Sequence, residues 1–490
     1  MMNALKAYPF KPIHLYGLAA SLFCLIYFAL SFKTFGTVDA LVESGDQGAF
    51  YNLAKEPFFS KNFWLGGRPP VVPFVHKLAG QEHVSIFRWQ LTIHVFATLI
   101  LSACAFIVLG RRLLGLLGVI GILLLSLSPQ VSAWAIVARS ESVAFSLLLT
   151  LLGLVLLTFR AISEPSLHWR WLPLSSASLI GTLALLILTR DHWMYFAPLL
   201  AATIAGSAFA SRKGDEARHR CTLWTLAGTI FLLFLLFFIS SQMNKASGRW
   251  KTNLSNVIFM RILPNTDAKS HWNKEYGLPL DETILKWTAE PVWSFNRTII
   301  HHPPYIDWLN EHGLSSFKRY ILTHPQWSLD LSIRGYRSSI DNFVPNYTKD
   351  KGRELRFVRW LEHKAFPRFG GYGELLLIAC TSIGLLIALT AGRPDCSALG
   401  WTILLFGIGA ATQSAVVTLA DSVEIERHHL PITLLIRYLA LLTILAVPVW
   451  LAEIRIRLVE APTAGPFDEH PAQPAIAPPK PQGKARRRKR

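Results

Sequence analysis

Two carboxylates, Glu43 and Asp46, stand three positions apart just after the first apolar run of the chain. A carboxylate beside an acceptor can act as a general base that takes the proton from an attacking hydroxyl group. Helical spacing also places Asp46 on the same face as Phe50 and Leu53 or Ala54. An aspartate at such a position commonly caps a short amphipathic helix, so this stretch alone leaves both roles open.

Three later connections between apolar runs each combine a basic side chain with an acidic or imidazole side chain. The pairs are Arg139 with Glu141, Arg190 with Asp191, and Arg427 with His428. Ionisable groups at membrane depth are costly, so they usually face a cavity or one another. Arginine binds phosphate oxygens through forked, charge-assisted hydrogen bonds, which suits a lipid phosphate at a membrane surface. A salt bridge between helix ends would explain any single pair; the repetition predicts a shared polar cavity.

The elements that must position these residues are membrane-spanning helices. Runs long enough to cross ~30 Å of hydrocarbon recur in a chain whose mean hydropathy is +0.34. They predict about ten helices, near residues 13–32, 89–109, 113–131, 143–159, 171–189, 193–209, 222–241, 374–391, 399–420 and 430–452. Every short connection on one side is basic, which places that side and both termini in the cytoplasm. The acid–base pairs then face the exported side.

We therefore expect an all-α polytopic membrane protein with a largely helical extracytoplasmic cap. The predicted parts are an N-terminal transmembrane module with a first outer loop, an extracytoplasmic segment, C-terminal transmembrane helices and a disordered basic cytoplasmic tail. Their bounds are 1–241 (outer loop 33–88), 242–373, 374–457 and 458–490. The extracytoplasmic segment is rich in tryptophan, and we expect most of these rings to pack inside the cap.

The formal net charge of +18 follows the topology and ends in the basic tail, so it predicts contact with anionic membrane lipids rather than with nucleic acid. Five cysteines lie in apolar runs or at cytoplasmic positions, and they indicate no disulfide framework. The pair His301 and His302 has no second pair at metal-binding spacing. No metal or other cofactor is expected.

Several of these segments resemble motifs of the GT-C superfamily of integral membrane glycosyltransferases. The similar segments are Glu43–Tyr51, Arg68-Pro69-Pro70, Ser140-Glu141, Arg190, and Glu426-Arg427-His428 followed by Pro431. The superfamily includes protein mannosyltransferases and lipid A aminoarabinose transferases, and the resemblance covers the first six spans and the last two. One departure is that related first-loop motifs have adjacent acids, whereas Glu43 and Asp46 are three apart. This spacing leaves open whether one or both acids act, and it argues against a catalytic metal.

The residues and the resemblance together predict transfer of a sugar from a polyprenyl-phosphate donor to a glycan, lipid or protein acceptor. Asp46 would be the base, with Glu43 assisting it or binding the acceptor. The candidate phosphate ligands are Arg139, Arg190 and Arg427. Glu141, Asp191 and His428 would shape the sugar pocket, and Arg68 is a further substrate-binding candidate. The resemblance implies a bacterial plasma (inner) membrane and an active site outside the cytoplasm.

Three other kinds of protein would share some of these features. A polysaccharide polymerase or ligase also combines many spans with one large outer segment, but its decisive arginine and histidine would lie in that segment. A lipid or solute transporter often has internal repeats and charged or broken spans near the membrane midplane, which this sequence does not show. A purely structural membrane protein would not need acid–base pairs at so many outer helix ends.

Overall fold

The computed structural model is helical throughout its described parts. It describes residues 12–35, 47–110, 112–128, 131, 134, 139–164, 171–211, 216–292, 302–340, 360, 372–420, 422 and 425–460. No strand occurs within these ranges. The predicted base Asp46, its neighbour Glu43 and the basic tail lie outside the described residues.

Ten apolar helices occupy the positions of the ten predicted runs. They are α1 (Pro12–Phe35), α5 (His83–Val108), α6 (Leu113–Leu127), α7 (Ser140–Ser163), α8 (Leu172–Ile187), α9 (Phe196–Ala210), α10 (Glu216–Ser247), α17 (Tyr372–Thr390), α18 (Pro394–Ala420) and α19 (Ile425–Glu460). Eight of these described helices are long and apolar enough to cross a membrane; α6 and α8 are shorter. The prediction of an all-α polytopic membrane protein is confirmed.

Helix α7 lies at the centre of the bundle. It packs against α5, α8, α9, α18 and α19, and it is apolar on all faces because it is surrounded by other helices. Gly153 allows α7 and α5 to approach closely, since a Cβ there would lie 3.2 Å from the Cα of Leu101 on α5. Because α7 is surrounded by five other helices, its first turn lies at the centre of one end of the bundle.

The hairpin of α17 and α18 is packed through small residues. A Cβ added at Gly400 would lie 2.5 Å from the backbone nitrogen of Ala388, so the two backbones are nearly in contact there. Small residues permit such approach between membrane helices, where dispersion contacts replace the hydrophobic effect. At the far end of this hairpin, Glu453 Oε1 accepts from the backbone nitrogens of Gly392 and Arg393 at 2.6 and 3.0 Å, which ties α19 to the turn.

Three short helices follow α1 and precede α5. They are α2 (Gln47–Lys55), α3 (Lys61–Leu65) and α4 (Val71–Leu78). Helix α2 buries Phe50, Leu53 and Ala54 on one face, as their spacing predicts. Phe50 joins Val72 and Val75 of α4 and Val143 of α7 in a small apolar cluster. The loop thus rests on the first turns of α7.

The segment between α10 and α17 is also helical where it is described. Its helices are α11 (Arg249–Val257), α12 (Thr266–Tyr276), α13 (Glu282–Lys286), α14 (Pro303–Trp308), α15 (Leu314–Thr323) and α16 (Pro325–Ile340), with π-helical turns at Ile258–Ile262 and Leu309–Gly313. A separate apolar core holds α11 to α15 together around Trp272, Phe259 and Tyr305. Trp272 and Trp308 are buried in it, whereas Trp360 is exposed. Helix α16 packs on α18 and α19.

Candidate active site at one end of the helix bundle

The candidate site is centred on Glu141, in the first turn of α7. Arg139 is the N-cap residue of this helix, and Glu141 is 1% exposed. A carboxylate near a helix N-terminus is stabilised by the helix dipole and by the unpaired backbone N–H groups there. That local effect accounts for the position of an acid, and partner cations are needed to account for its complete burial.

Two arginines from distant parts of the chain supply the positive charge. Arg190 Nη2 donates to Glu141 Oε1 at 2.7 Å, and Arg427 Nε forms an ion pair with the same oxygen at 3.2 Å. Arg190 Nε also donates to Ser140 Oγ at 3.0 Å. Because a single carboxylate oxygen bridges both cations, the end of α8 and the start of α19 are joined through α7.

His428 and Arg139 complete this charged cluster. Arg427 Nη2 contacts His428 Nε2 at 3.0 Å, with the arginine as donor. Glu141 interacts electrostatically with His428 and, more weakly, with Arg139, which is 4% exposed. Below, "the Glu141 cluster" means Arg139, Ser140, Glu141, Arg190, Arg427 and His428. Arg190 and Arg427 are held in place by Glu141, and arginine is the side chain whose forked donors recognise phosphate oxygens.

Arg427 and His428 lie in the first turn of α19, whereas the apolar pattern predicts a loop at these positions. The helix begins at Ile425, about five residues before the predicted apolar run. A hydropathy pattern marks only the apolar part of a helix, whereas the backbone hydrogen bonds continue into the polar turn. Because Arg427 belongs to the first turn of α19, its backbone is held in a helical conformation beside Glu141.

Asp191 has a partner that the sequence pattern did not single out. Arg249 binds its carboxylate with two parallel hydrogen bonds, Nε to Oδ2 at 2.8 Å and Nη2 to Oδ1 at 2.9 Å. Arg249 Nη1 also donates to the carbonyl oxygens of Gly66 and Arg68, at 3.1 and 3.4 Å. The signal in the sequence is a glycine followed by an arginine, a few polar residues after a long apolar run. That signal is weak, because basic residues commonly flank membrane spans.

The first loop places Arg68 over an aromatic ring. The guanidinium carbon of Arg68 is 5.5 Å from the ring centroid of Phe50 on α2, within the range of a cation–π contact. His76 of α4 packs against Phe50 and Tyr51 and is completely buried. Burial lowers the pKa of His76 to about 4, and the nearby His83 acts in the same direction. His76 is therefore neutral near pH 7.

The structure brings together five of the predicted site residues, Arg139, Glu141, Arg190, Arg427 and His428. Arg249 contacts two further predicted residues, the carboxylate of Asp191 and the backbone carbonyl oxygen of Arg68. Asp191 follows Arg190 directly in the chain, so this contact lies next to the cluster. Glu43 and Asp46 fall outside the described residues, and α2 begins at the very next residue, Gln47. In the described ranges, no group of three or more His, Cys, Asp or Glu side chains is placed to hold a metal ion.

No protein-family model and no curated protein matches the chain. Solved structures of the oligosaccharyltransferase of Archaeoglobus fulgidus are similar to it. One, of the enzyme AglB with an inhibitory peptide and a dolichol-phosphate, has a TM-score of 0.45 at 12% identity. Another, tethered through a disulfide bond to an acceptor peptide with the NVT sequon, has a TM-score of 0.42 at 14% identity. Each alignment covers 90% of this chain but only 51% and 50% of the other, so this chain spans about half their length. At this similarity the likeness assigns no activity to the present chain.

Proposed function

We propose that this chain is a membrane glycosyltransferase of the GT-C type that moves a sugar from a polyprenyl-phosphate donor to an acceptor. The observation that carries the proposal is the buried bridge of Arg190, Glu141 and Arg427. Charged side chains from α7, from α19 and from the turn after α8 meet at one end of an apolar bundle. Since burying charges costs free energy even when they are paired, such a group is better explained by a polar ligand than by stability.

In this proposal the arginines bind the phosphate of the donor. Arg139, Arg190 and Arg427 present forked donors to its oxygens, and Glu141 holds two of them in place. As the bond between the anomeric carbon and the phosphate oxygen breaks, its electron pair moves onto the phosphate. Preorganised arginines stabilise that developing charge without rearrangement, which lowers the barrier.

The acceptor hydroxyl would attack the anomeric carbon from the opposite side. Asp46 takes the proton of that hydroxyl, and Glu43 assists it or binds the acceptor. A single displacement of this kind inverts the configuration of the sugar and leaves the polyprenyl phosphate as product. Arg68, Asp191 and His428 would contact the sugar or shape its pocket. No cofactor is required, because the phosphate is already an adequate leaving group.

The proposed side of the membrane follows from the distribution of charge. Arg160 lies in the last turn of α7, and Arg393 lies beside the far end of α19, where its backbone nitrogen donates to Glu453. By the positive-inside rule that end is cytoplasmic, so the cluster would face outward from a bacterial plasma membrane. The acceptor would then be an exported glycan, lipid or protein.

A deletion and complementation experiment tests the proposal whichever sugar is transferred. The gene is deleted in its host and restored as the native form, as Asp46→Ala or as the exposed-carboxylate control Asp267→Ala, at equal membrane levels. Polyprenyl-linked lipids and envelope glycans are then profiled by mass spectrometry. We expect the native form and Asp267→Ala to restore one missing sugar mass, and Asp46→Ala to leave it missing.

Two results would overturn parts of this proposal. If Asp46→Ala restores the profile, Asp46 is a helix cap and another group serves as base. If deletion changes no glycan or lipid-linked sugar, the enzyme assignment fails and transport of a lipid or solute becomes the better explanation.

One observation favours a second candidate, a polysaccharide polymerase or ligase. A cavity of about 600 Å³ lies among α12, α14 and α15 and is lined by Arg319, His312, Tyr276 and three carboxylates. Such an enzyme would use an arginine and a histidine of this segment. Arg319→Ala and His312→Ala should then abolish transfer while Asp46→Ala preserves it, which is the reverse of the outcome expected for the leading proposal.

A further inference from the structure

The short helices after α1 form one internally tied unit, residues 47–79, called here the first-loop unit. Lys77 Nζ of α4 donates to the carbonyl oxygens of Ala54 and Glu56 at the end of α2, at 3.1 and 2.9 Å. Trp64 Nε1 donates to the carbonyl oxygen of Phe58 at 2.8 Å, within a cluster of aromatic rings. Because α2 and α4 are cross-connected in this way, a displacement at one point of the unit carries the rest with it.

Polar contacts attach this unit to the bundle at two neighbouring points. The backbone nitrogen of Val71 donates to the carbonyl oxygen of Leu188, just after α8, at 3.1 Å. Arg249 spans from Asp191 to the carbonyl oxygens of Gly66 and Arg68. Leu188 and Asp191 flank Arg190, so both attachments end beside an arginine of the Glu141 cluster.

Each of the three guanidinium nitrogens of Arg249 donates to a group of the protein itself. Nε and Nη2 bind Asp191, Nη1 binds the two loop carbonyls, and the side chain is 8% exposed. Gly248 directs it there: its φ of +68° turns the chain between α10 and α11, and this region disfavours residues with a Cβ. This geometry differs from that of a ligand-binding arginine, whose donors must face the ligand.

We infer that Arg249 is a positioning residue that holds the first-loop unit, and with it Arg68 and the start of α2, against the Glu141 cluster. The catalytic half of this inference rests on the proposed glycosyl transfer; the structural half does not. A guanidinium is needed because one planar fork must satisfy a carboxylate and two carbonyls at the same time. A lysine would keep the charge and lose that geometry.

The structural half is tested by the distance between two nitroxide labels. One label is placed at Phe59, which is 93% exposed on the unit, and one at Leu185, which is 47% exposed on α8. Double electron–electron resonance in nanodiscs gives the distance distribution. We expect Arg249→Lys and Arg249→Gln to broaden it at least twofold. Asp191→Asn serves as a further variant if either substitution lowers the folded yield.

Arg337→Lys is the matched control. Arg337 also binds a carboxylate with two hydrogen bonds, to Glu374, but it is exposed and contacts no part of the first-loop unit. The control should leave the distribution unchanged. A native distribution in folded Arg249 variants, or equal broadening in the control, would overturn the inference.

The catalytic half is tested by steady-state transfer from the polyprenyl-linked sugar identified by the lipid profile. We expect Arg249→Lys to lower kcat at least tenfold with a smaller change in the KM for the donor, since the arginines that bind phosphate stay in place. Unchanged kcat together with a broadened distribution would refute the catalytic half alone. If the native protein transfers no sugar, the proposed function fails, and the distance measurement still decides whether Arg249 holds the loop.

Discussion

The substitution Glu141→Gln tests whether the charged cluster at the end of the bundle is a real buried bridge. Glutamine has nearly the same shape and keeps one oxygen acceptor, but it removes the negative charge that Arg190 and Arg427 share. Glu141 is 1% exposed and the two arginine side chains are 8% and 10% exposed, so water cannot replace the lost charge easily. The variant therefore leaves two cations close together beside a neutral amide.

The size of the effect follows from the distances. At an effective dielectric constant near 20, the attractions at 2.7 and 3.2 Å are worth about 6 and about 5 kcal/mol before desolvation. The variant no longer bears the cost of removing a carboxylate from water, which offsets several kcal/mol of this loss. Removing one partner of a buried pair costs about 3–5 kcal/mol in measured cases. Because glutamine retains an acceptor, we expect about 3 kcal/mol, and about 5 kcal/mol for Glu141→Ala.

The assay is unfolding by SDS in mixed micelles, followed by tryptophan fluorescence, which gives the change in the free energy of unfolding. Glu374→Gln is the control, since Glu374 pairs with an Arg337 side chain that is 62% exposed. Exposed pairs contribute about 0–1 kcal/mol, so this variant should stay close to the native protein. If Glu141→Gln is no more destabilised than Glu374→Gln, the bridge does not hold the three helices together and the reasoning fails.

Three further predictions concern backbone strain, protonation and close packing. Gly248→Ala should lower the free energy of unfolding by about 1–2 kcal/mol in the same titration, because φ at this residue is +68°. Burial lowers the pKa of His76 to about 4 from 6.5, so packing of the first-loop unit should be complete above pH 6.5 and weaken as pH falls towards 4. The distance distribution between nitroxide labels at Phe59 and Leu185, measured as the pH is lowered, reports this transition, which His76→Leu should abolish. Gly400→Val, whose Cβ would lie 2.5 Å from the backbone nitrogen of Ala388, should cost about 1–3 kcal/mol and reduce the yield of folded protein.

The apolar helices could be predicted from sequence because hydropathy over about 20 residues is a strong local signal. Their ends could not, since the helical hydrogen bonds of α10 and α19 continue into polar turns beyond the apolar run. This is why the sequence predicts a loop at Arg427. The two hydrogen bonds from Arg249 to Asp191 could not be predicted for a related reason. A basic residue after a membrane span is usually an interfacial anchor, so its presence does not indicate a buried partner. Glu43 and Asp46 stay predictions.

Arg190 and Asp191 are neighbours in sequence, but they do not pair with each other. Arg190 turns to Glu141 and Asp191 turns to Arg249, because successive side chains point in different directions at the 3₁₀ turn Asp191–Tyr195. Sequence spacing could predict that charged residues lie at these helix ends. Which residues pair depends on how the helices pack, so it could not be predicted from spacing.

That cross-pairing determines how activity measurements must be interpreted. The Glu141 cluster joins residues from 139 to 428, so it forms only after helices from both halves of the chain have packed. A loss of transfer in Arg190→Ala could therefore reflect a missing phosphate ligand or a bundle that has come apart. The free energy of unfolding separates the two, because a variant that remains as stable as Glu374→Gln and transfers no sugar has lost chemistry rather than structure. Arg139, which interacts more weakly with Glu141 than the other two arginines do, is the arginine at which that separation should be cleanest.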